Sequence, residues 1–220
     1  MRSLRSTAGC FLSRYVRDPA FRGDVGLRFG SAFGLLYAAF HAVTGFLYSS
    51  VWSITSAVYF FLLGAMRAGL WITYRRRPAE GAYETVCYRR VGRLLFLLNI
   101  PMGGLILLTV SYDTSNIYPG YVIYAVATYT FYVLTVSLIG LSKVRKLSSP
   151  ILSAAKMLNV VAALMSIFTL QNTMISTFSG GDEAYRHLMS ILTGTGVYFA
   201  VIAVAVRMLI RPPQQGENRE

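Results

Sequence analysis

Marked for hydrophobic and polar positions, the chain divides into six long apolar stretches, at about 29–48, 51–73, 92–111, 118–141, 151–177 and 188–210. None shows the two-residue alternation of a half-buried strand. Each is close to or above the roughly eighteen residues that carry a helix across a hydrocarbon core of about 30 Å. In lipid the backbone must satisfy its own hydrogen bonds, so the pattern predicts six membrane-spanning helices.

The segments between the stretches give this count a direction. Arg2, Arg5, Arg14, Arg17, Arg22 and Arg28 precede the first stretch, and Arg75, Arg76, Arg77, Arg89, Arg90 and Arg93 surround the second connection. Lys143, Arg145 and Lys146 lie in the fourth, and Arg207, Arg211 and Arg219 flank the last. The turn at Tyr48, Ser49 and Ser50 has no charge, the segment around Asp113 has no basic residue, and Arg186 stands beside Asp182 and Glu183. Basic flanks mark the cytoplasmic side, which predicts an N-in, C-in topology in the inner (plasma) membrane. Tyr48, Trp52, Trp71, Tyr74, Tyr112, Tyr118 and Tyr121 fall near the expected interfaces.

Composition agrees. Of 220 residues, 55% are hydrophobic and only 14% charged, too few charges to cover a water-soluble surface. The net charge of +12 comes from basic residues most of which sit at span ends, the signature of anionic lipid rather than nucleic acid. Cys10 and Cys87, the two cysteines, map to the basic, reducing side, so no disulfide is expected. Arginines run throughout the first 28 residues, unlike a cleavable signal peptide. The expected organisation is a basic cytoplasmic segment over 1–28, a transmembrane domain over 29–210 and a short cytoplasmic tail over 211–220, with no extramembrane domain.

A shift of 99 residues lays Tyr48 to Trp52 over Leu147 to Ile151 and Met66 over Met165. The same shift lays the first three spans over the last three. With an odd number of spans each, the halves at about 29–111 and 118–210 are expected to be inverted repeats.

The run from His41 through Gly45, Ser50 and Val51 to Ala57 resembles, without a gap, the first hairpin of the cation diffusion facilitator (cation efflux) family. That family shows Lys-x-x-x-Gly, then Gly-Ser-hydrophobic, then a metal-binding Asp-Ala-x-His-Ser-x-x-Asp helix. His41 stands where its lysine usually is. Lys146 to Ala155 looks like the family's approach to its fifth span. The resemblance implies a six-helix transporter fold. Its metal site is not implied, because Tyr59 and Leu63 replace the ligands of span two and Leu158, Ala162 or Asn159 those of span five. None of these is an ordinary zinc or manganese ligand. The family's cytoplasmic C-terminal domain is not expected here.

All nine acidic residues, Asp18, Asp24, Glu80, Glu84, Asp113, Asp182, Glu183, Glu217 and Glu220, lie outside the apolar stretches. Polar groups inside them are candidates for function, since each costs free energy unless paired or wetted. His41 is the histidine at membrane depth, with a neutral, helix-bonded role as the plainer alternative. Lys156 and Asn159 share a face of span five, where Lys156 either meets an anionic group or snorkels to the headgroups. Asn99, followed by Pro101, Gly103 and Gly104, predicts a kink in span three. Arg67 and Arg207 lie within about two turns of basic span ends and are expected to snorkel. Gln171 and Asn172 are expected to join helices, and the small residues Gly30, Ser31, Gly34, Ala154, Ala155, Gly194 and Gly196 to permit close packing.

No catalytic, metal or phosphate-loop motif occurs, so neither an enzyme nor a cofactor is expected. The pathway candidates are His41, Tyr59, Asn99, Lys156 and Asn159. The expected function is that of a transporter-like membrane protein moving a small solute or an ion other than a classical divalent metal. A non-transporting adaptor or subunit of a complex, and the substrate-binding subunit of a vitamin importer, are the alternatives. The expected partners are the lipid bilayer and a second copy of the chain in a homodimer.

Overall fold

The computed structural model describes residues 19–76, 81–111, 120–142, 149–178 and 183–210. The arginines before Arg22, Cys10, Asp113, Tyr112, Tyr118, the Lys143–Lys146 loop and the tail after Ile210 lie outside them, as do the side chains of Tyr121 and Arg186. The described residues form six α-helices and no strand: α1 (Pro19–Leu47), α2 (Val51–Arg76), α3 (Gly81–Ser111), α4 (Gly120–Ser142), α5 (Pro150–Phe178) and α6 (Glu183–Ile210).

Five of these are long and apolar enough to cross a membrane, over Gly23–Leu47, Val51–Arg76, Val122–Ile139, Pro150–Ile175 and His187–Ile210. The remaining helix, α3, is 31 residues long with Pro101 inside it. Its apolar residues are concentrated in the second half, where several side chains lie outside the described set. Helices α1 and α3 begin about ten residues before their apolar stretches, because polar residues there are held by specific contacts. Asp24 of α1 pairs with Arg28 at 3.0 Å and accepts a 2.9 Å hydrogen bond from Trp71 Nε1 of α2. Arg28 and Arg75 lie over the Trp71 ring, 5.1 and 5.9 Å from its centroid.

The α1–α2 turn is a tight helix stop. Ser50 N–H donates to Gly45 O at 3.0 Å, with Ser49 between them at a φ of 49°, the left-handed geometry that closes a helix C-terminus. Ser50 then caps α2, accepting from Ser53 N–H at 3.3 Å. Small residues bring α1 and α2 close. A Cβ on Gly45 would stand 2.9 Å from the Ile54 backbone nitrogen, one on Gly34 would stand 3.8 Å from Gly64 Cα, and Ser31 Oγ donates to Gly64 O at 3.3 Å.

Contacts between helix ends fix the arrangement of the bundle. Asp24 meets Trp71, Gly23 faces Leu152, Ser149 Oγ donates to Glu84 Oε2 at 2.9 Å, and Gly92 packs on Met208. The start of α1, the end of α2, the starts of α3 and α5 and the end of α6 therefore gather at one end. Arg28, Arg75, Arg76, Arg89, Arg90, Arg93 and Arg207 all lie toward it. At the opposite end, Ser190 Oγ donates to Asn172 Oδ1 at 2.7 Å and Gln171 Nε2 to Met189 O at 3.3 Å, joining α5 to α6 as the sequence suggests. Helix α5 lies at the centre. Its Ile151, Ala154, Leu158, Val161, Met165 and Phe168 are fully buried, and it packs against α2, α3, α4 and α6.

Candidate functional site

The most unusual side chain in the bundle is Arg67. It lies nine residues before Arg76 on α2, about 13 Å from that helix end, yet it is only 4% exposed. Its Nη1 donates to Gly30 O of α1 at 3.0 Å, and its Nη2 donates to Leu158 O of α5 at 3.0 Å. The expectation that Arg67 snorkels is therefore wrong, for two physical reasons. Side chains lean toward the N-terminus of their own helix, which for α2 is the end away from the basic surface. Gly30 and Gly34 also leave α1 open beside it, since a Cβ on either would stand 3.7 Å from Nη1. Arg207, by contrast, is exposed near its helix end.

A guanidinium has five N–H donors. The two carbonyls engage two of them, and Nε has no partner among the described residues. Among the described residues no carboxylate compensates the charge: Asp24 is held by Arg28 and Trp71 and Glu84 by Ser149. The result is a buried cation without an anion, an arrangement that costs several kcal/mol unless something further pairs with it.

From Arg67 toward the opposite end, an aromatic cluster continues the same seam. Gly30, Gly34, Tyr37 and His41 follow one face of α1. Tyr37 stacks on Tyr129 with centroids 3.6 Å apart and planes at 7°. Phe60 meets Tyr37 edge-on at 4.7 Å, and His41 lies parallel to Phe60 at 5.8 Å and edge-on to Tyr37 at 4.5 Å. His41 is 3% exposed, and neither ring nitrogen has a hydrogen-bond partner among the described residues. The hydroxyls of Tyr37, Ser56 and Tyr59 share that condition. Buried polar groups in such number without partners are unusual.

The other pathway candidates are distributed around this seam. Tyr59 is 2% exposed and shares a stripe of α2 with Trp52 and Ser56, where Trp52 meets Phe168 of α5 at 5.4 Å. Lys156 precedes Leu158 by two residues, about 3 Å nearer the basic end, and is half-buried, as is Asn159. Phe60 and Arg67 are seven residues apart, so His41 and Lys156 stand about 13 Å apart along the bundle axis. Asn99 is 3% exposed in α3, between Gly92, packed on Met208, and Gly103, packed on Tyr198. Both of its side-chain amide atoms lack partners among the described residues. The structure thus places Arg67 and Lys156 at nearly one level, sets the rings of His41 and Tyr59 against Phe60, and puts Asn99 in the α3 wall.

Tyr37 is the residue that sequence reasoning passed over, and Arg67 the one it assigned to the headgroups. The available signal was Gly30 and Gly34, one turn apart, together with Gly64 one turn before Arg67. No cluster of three or more histidine, cysteine or acidic residues that could hold a metal occurs among the described residues. Comparison with protein-family models, curated proteins and solved structures returns no match.

Proposed function

We propose that this chain is an integral membrane protein whose core holds a small anionic solute against Arg67, and that it carries such solutes across the bilayer. The observation that carries the reading is Arg67 itself: a guanidinium buried among three helices, capped by two carbonyls, with Nε unpaired and no acid bonded to it among the described residues. Rings of cationic side chains select anions in membrane pathways, and an ionisable group at membrane depth is functional by default. Lys156, almost level with it, adds a second positive charge on the side facing the basic end.

The remaining structural expectations support this reading. With α3 as a sixth span, the basic end lies in the cytoplasm of an inner membrane, by the excess of arginines there. Ser50 and Ser149, related by the 99-residue shift, precede α2 and α5 at opposite ends of the bundle, as two inverted halves require. The cation-efflux resemblance is compatible with a transporter fold, and Tyr59, Leu63, Leu158 and Ala162 in place of its ligands fit a pathway for something other than a divalent metal.

Flux through proteoliposomes tests the proposal. Labelled phosphate, acetate and succinate are offered separately, with zinc and manganese as counter-examples. Uptake of at least one anion above empty vesicles, falling about tenfold or more in Arg67→Met, is the expected result, the factor corresponding to about 1.4 kcal/mol of lost binding. Zinc or manganese uptake unaffected by Arg67→Met would overturn it. Absence of any flux, with a stoichiometric protein partner co-purifying, would favour the adaptor alternative instead.

A further inference from the structure

Helices α2 and α3 meet only loosely, and between them runs an open groove of about 680 Å³, within the size range of small-molecule sites. It is separate from the Arg67 seam and almost wholly apolar, with Leu70, Leu94, Leu97 and Ile100 among its walls. Its floor at Gly69 is empty, since a Cβ there would meet nothing within 4 Å. Along α2 the groove runs from Leu62 to Thr73, and along α3 from Tyr83 to Pro101; on each wall the part from the level of Arg90 inward is eleven residues or about 16 Å. That is half of a hydrocarbon core of about 30 Å, the depth of one leaflet.

Only the shallow end is charged. Arg90 lines the groove there and is exposed, as are Arg75, Arg76, Arg89 and Arg93 around it. Glu84, the acidic side chain described on α3, is buried and takes the Ser149 hydroxyl. An occupant complementary to this groove has a long apolar tail that reaches through a single leaflet and an anionic head at the basic end. A second copy of the chain does not meet that description. Related by a two-fold axis normal to the bilayer, it would bring its own arginines to the same level and set like charges together.

We propose that the α2–α3 groove binds an acyl chain of an anionic phospholipid from the leaflet at the basic end, with the lipid phosphate on Arg90. A basic residue at the surface favours an anionic over a zwitterionic lipid with the same chains by about fivefold, or about 1 kcal/mol.

Native mass spectrometry of the full chain, released from vesicles of equal phosphatidylglycerol and phosphatidylcholine with matched chains, tests this directly. The wild type is expected to retain phosphatidylglycerol about fivefold over phosphatidylcholine. Arg90→Gln should bring the two to parity, while Arg207→Gln, an exposed arginine at the same end but outside the groove, should not. Gly69→Phe places a ring on the floor, where a Cβ meets nothing within 4 Å, and should abolish retention of both lipids. Equal retention by the wild type, an unchanged ratio in Arg90→Gln, or full retention in Gly69→Phe would each overturn the proposal. So would a dimer that dissociates in Gly69→Phe with no lipid retained, which would assign the groove to a second copy.

Discussion

At the scale of single residues, Arg67 and His41 show how burial changes what a polar side chain demands. Arg67 contributes two charge-assisted hydrogen bonds, yet the carbonyls of Gly30 and Leu158 keep their own helical donors without it, and the buried charge carries a desolvation cost. Replacing a buried charge with an apolar side chain of similar size is often neutral or stabilising. Arg67→Met is accordingly expected to hold its melting temperature or raise it by a few degrees, as measured on purified protein. A loss of ten degrees or more would mean that Arg67 is chiefly a structural clasp. His41→Leu follows the same logic, because it removes two ring nitrogens that have no partner among the described residues and leaves an apolar side chain against Tyr37 and Phe60; it should not lower the melting temperature. The sequence made His41 visible because histidine is rare at that depth. Arg67 was not legible in the same way. Its distance from a span end suggests snorkelling, and only the direction of α2 and the gap at Gly30 and Gly34 show that its side chain turns inward.

Whole helices were far more legible, because apolar stretches in lipid leave the backbone one solution and charge marks where each stretch stops. The predicted starts of α2 and α5, 51 and 151, lie within one residue of Val51 and Pro150, where Ser50 and Ser149 precede them. The starts of α1 and α3 are ten or eleven residues earlier than their apolar stretches, since Asp24 with Trp71 and Glu84 with Ser149 sustain helix where hydropathy no longer reports it. Close packing of α1 on α2 rests on positions that hydropathy ranks as weak. Gly45→Ala would push a methyl to 2.9 Å from the Ile54 backbone nitrogen, which the helix can relieve only by moving away. A cost of about 1–3 kcal/mol is expected. Gly26→Ala, on the same helix with nothing within 4 Å, should instead stabilise by up to about 1 kcal/mol through helix propensity. Parallel denaturation curves check the pair, and equal effects of the two alanines would contradict the close crossing.

For the whole molecule, the gathering of basic residues at one end and the carboxylate-free seam in the middle belong to a single electrostatic design. In the proposed pathway, anions drawn to the basic end would meet Lys156 and then Arg67, while the nine acidic residues stay outside the apolar stretches. Helix-end contacts put the start of α1 and the end of α6 on the same side, so reporters fused to the two termini should be active in the same compartment. Reporters active on opposite sides would contradict the arrangement. This level was partly legible: the alternation of basic segments predicted that both ends lie together, but which helix would occupy the centre depended on packing among α2, α3, α4, α5 and α6. The proposed anion transport by this chain depends above all on Arg67 holding the anion. Thermal denaturation of the purified chain and of Arg67→Met, in phosphate, acetate or succinate against a chloride-matched control of equal ionic strength, tests it most directly. At ten times the dissociation constant, binding stabilises by about 1.4 kcal/mol, a shift of roughly 3–6 °C for a chain of this size. The prediction is such a shift with at least one of these anions in the wild type and none in Arg67→Met, whereas identical responses of the two proteins to every anion would contradict it.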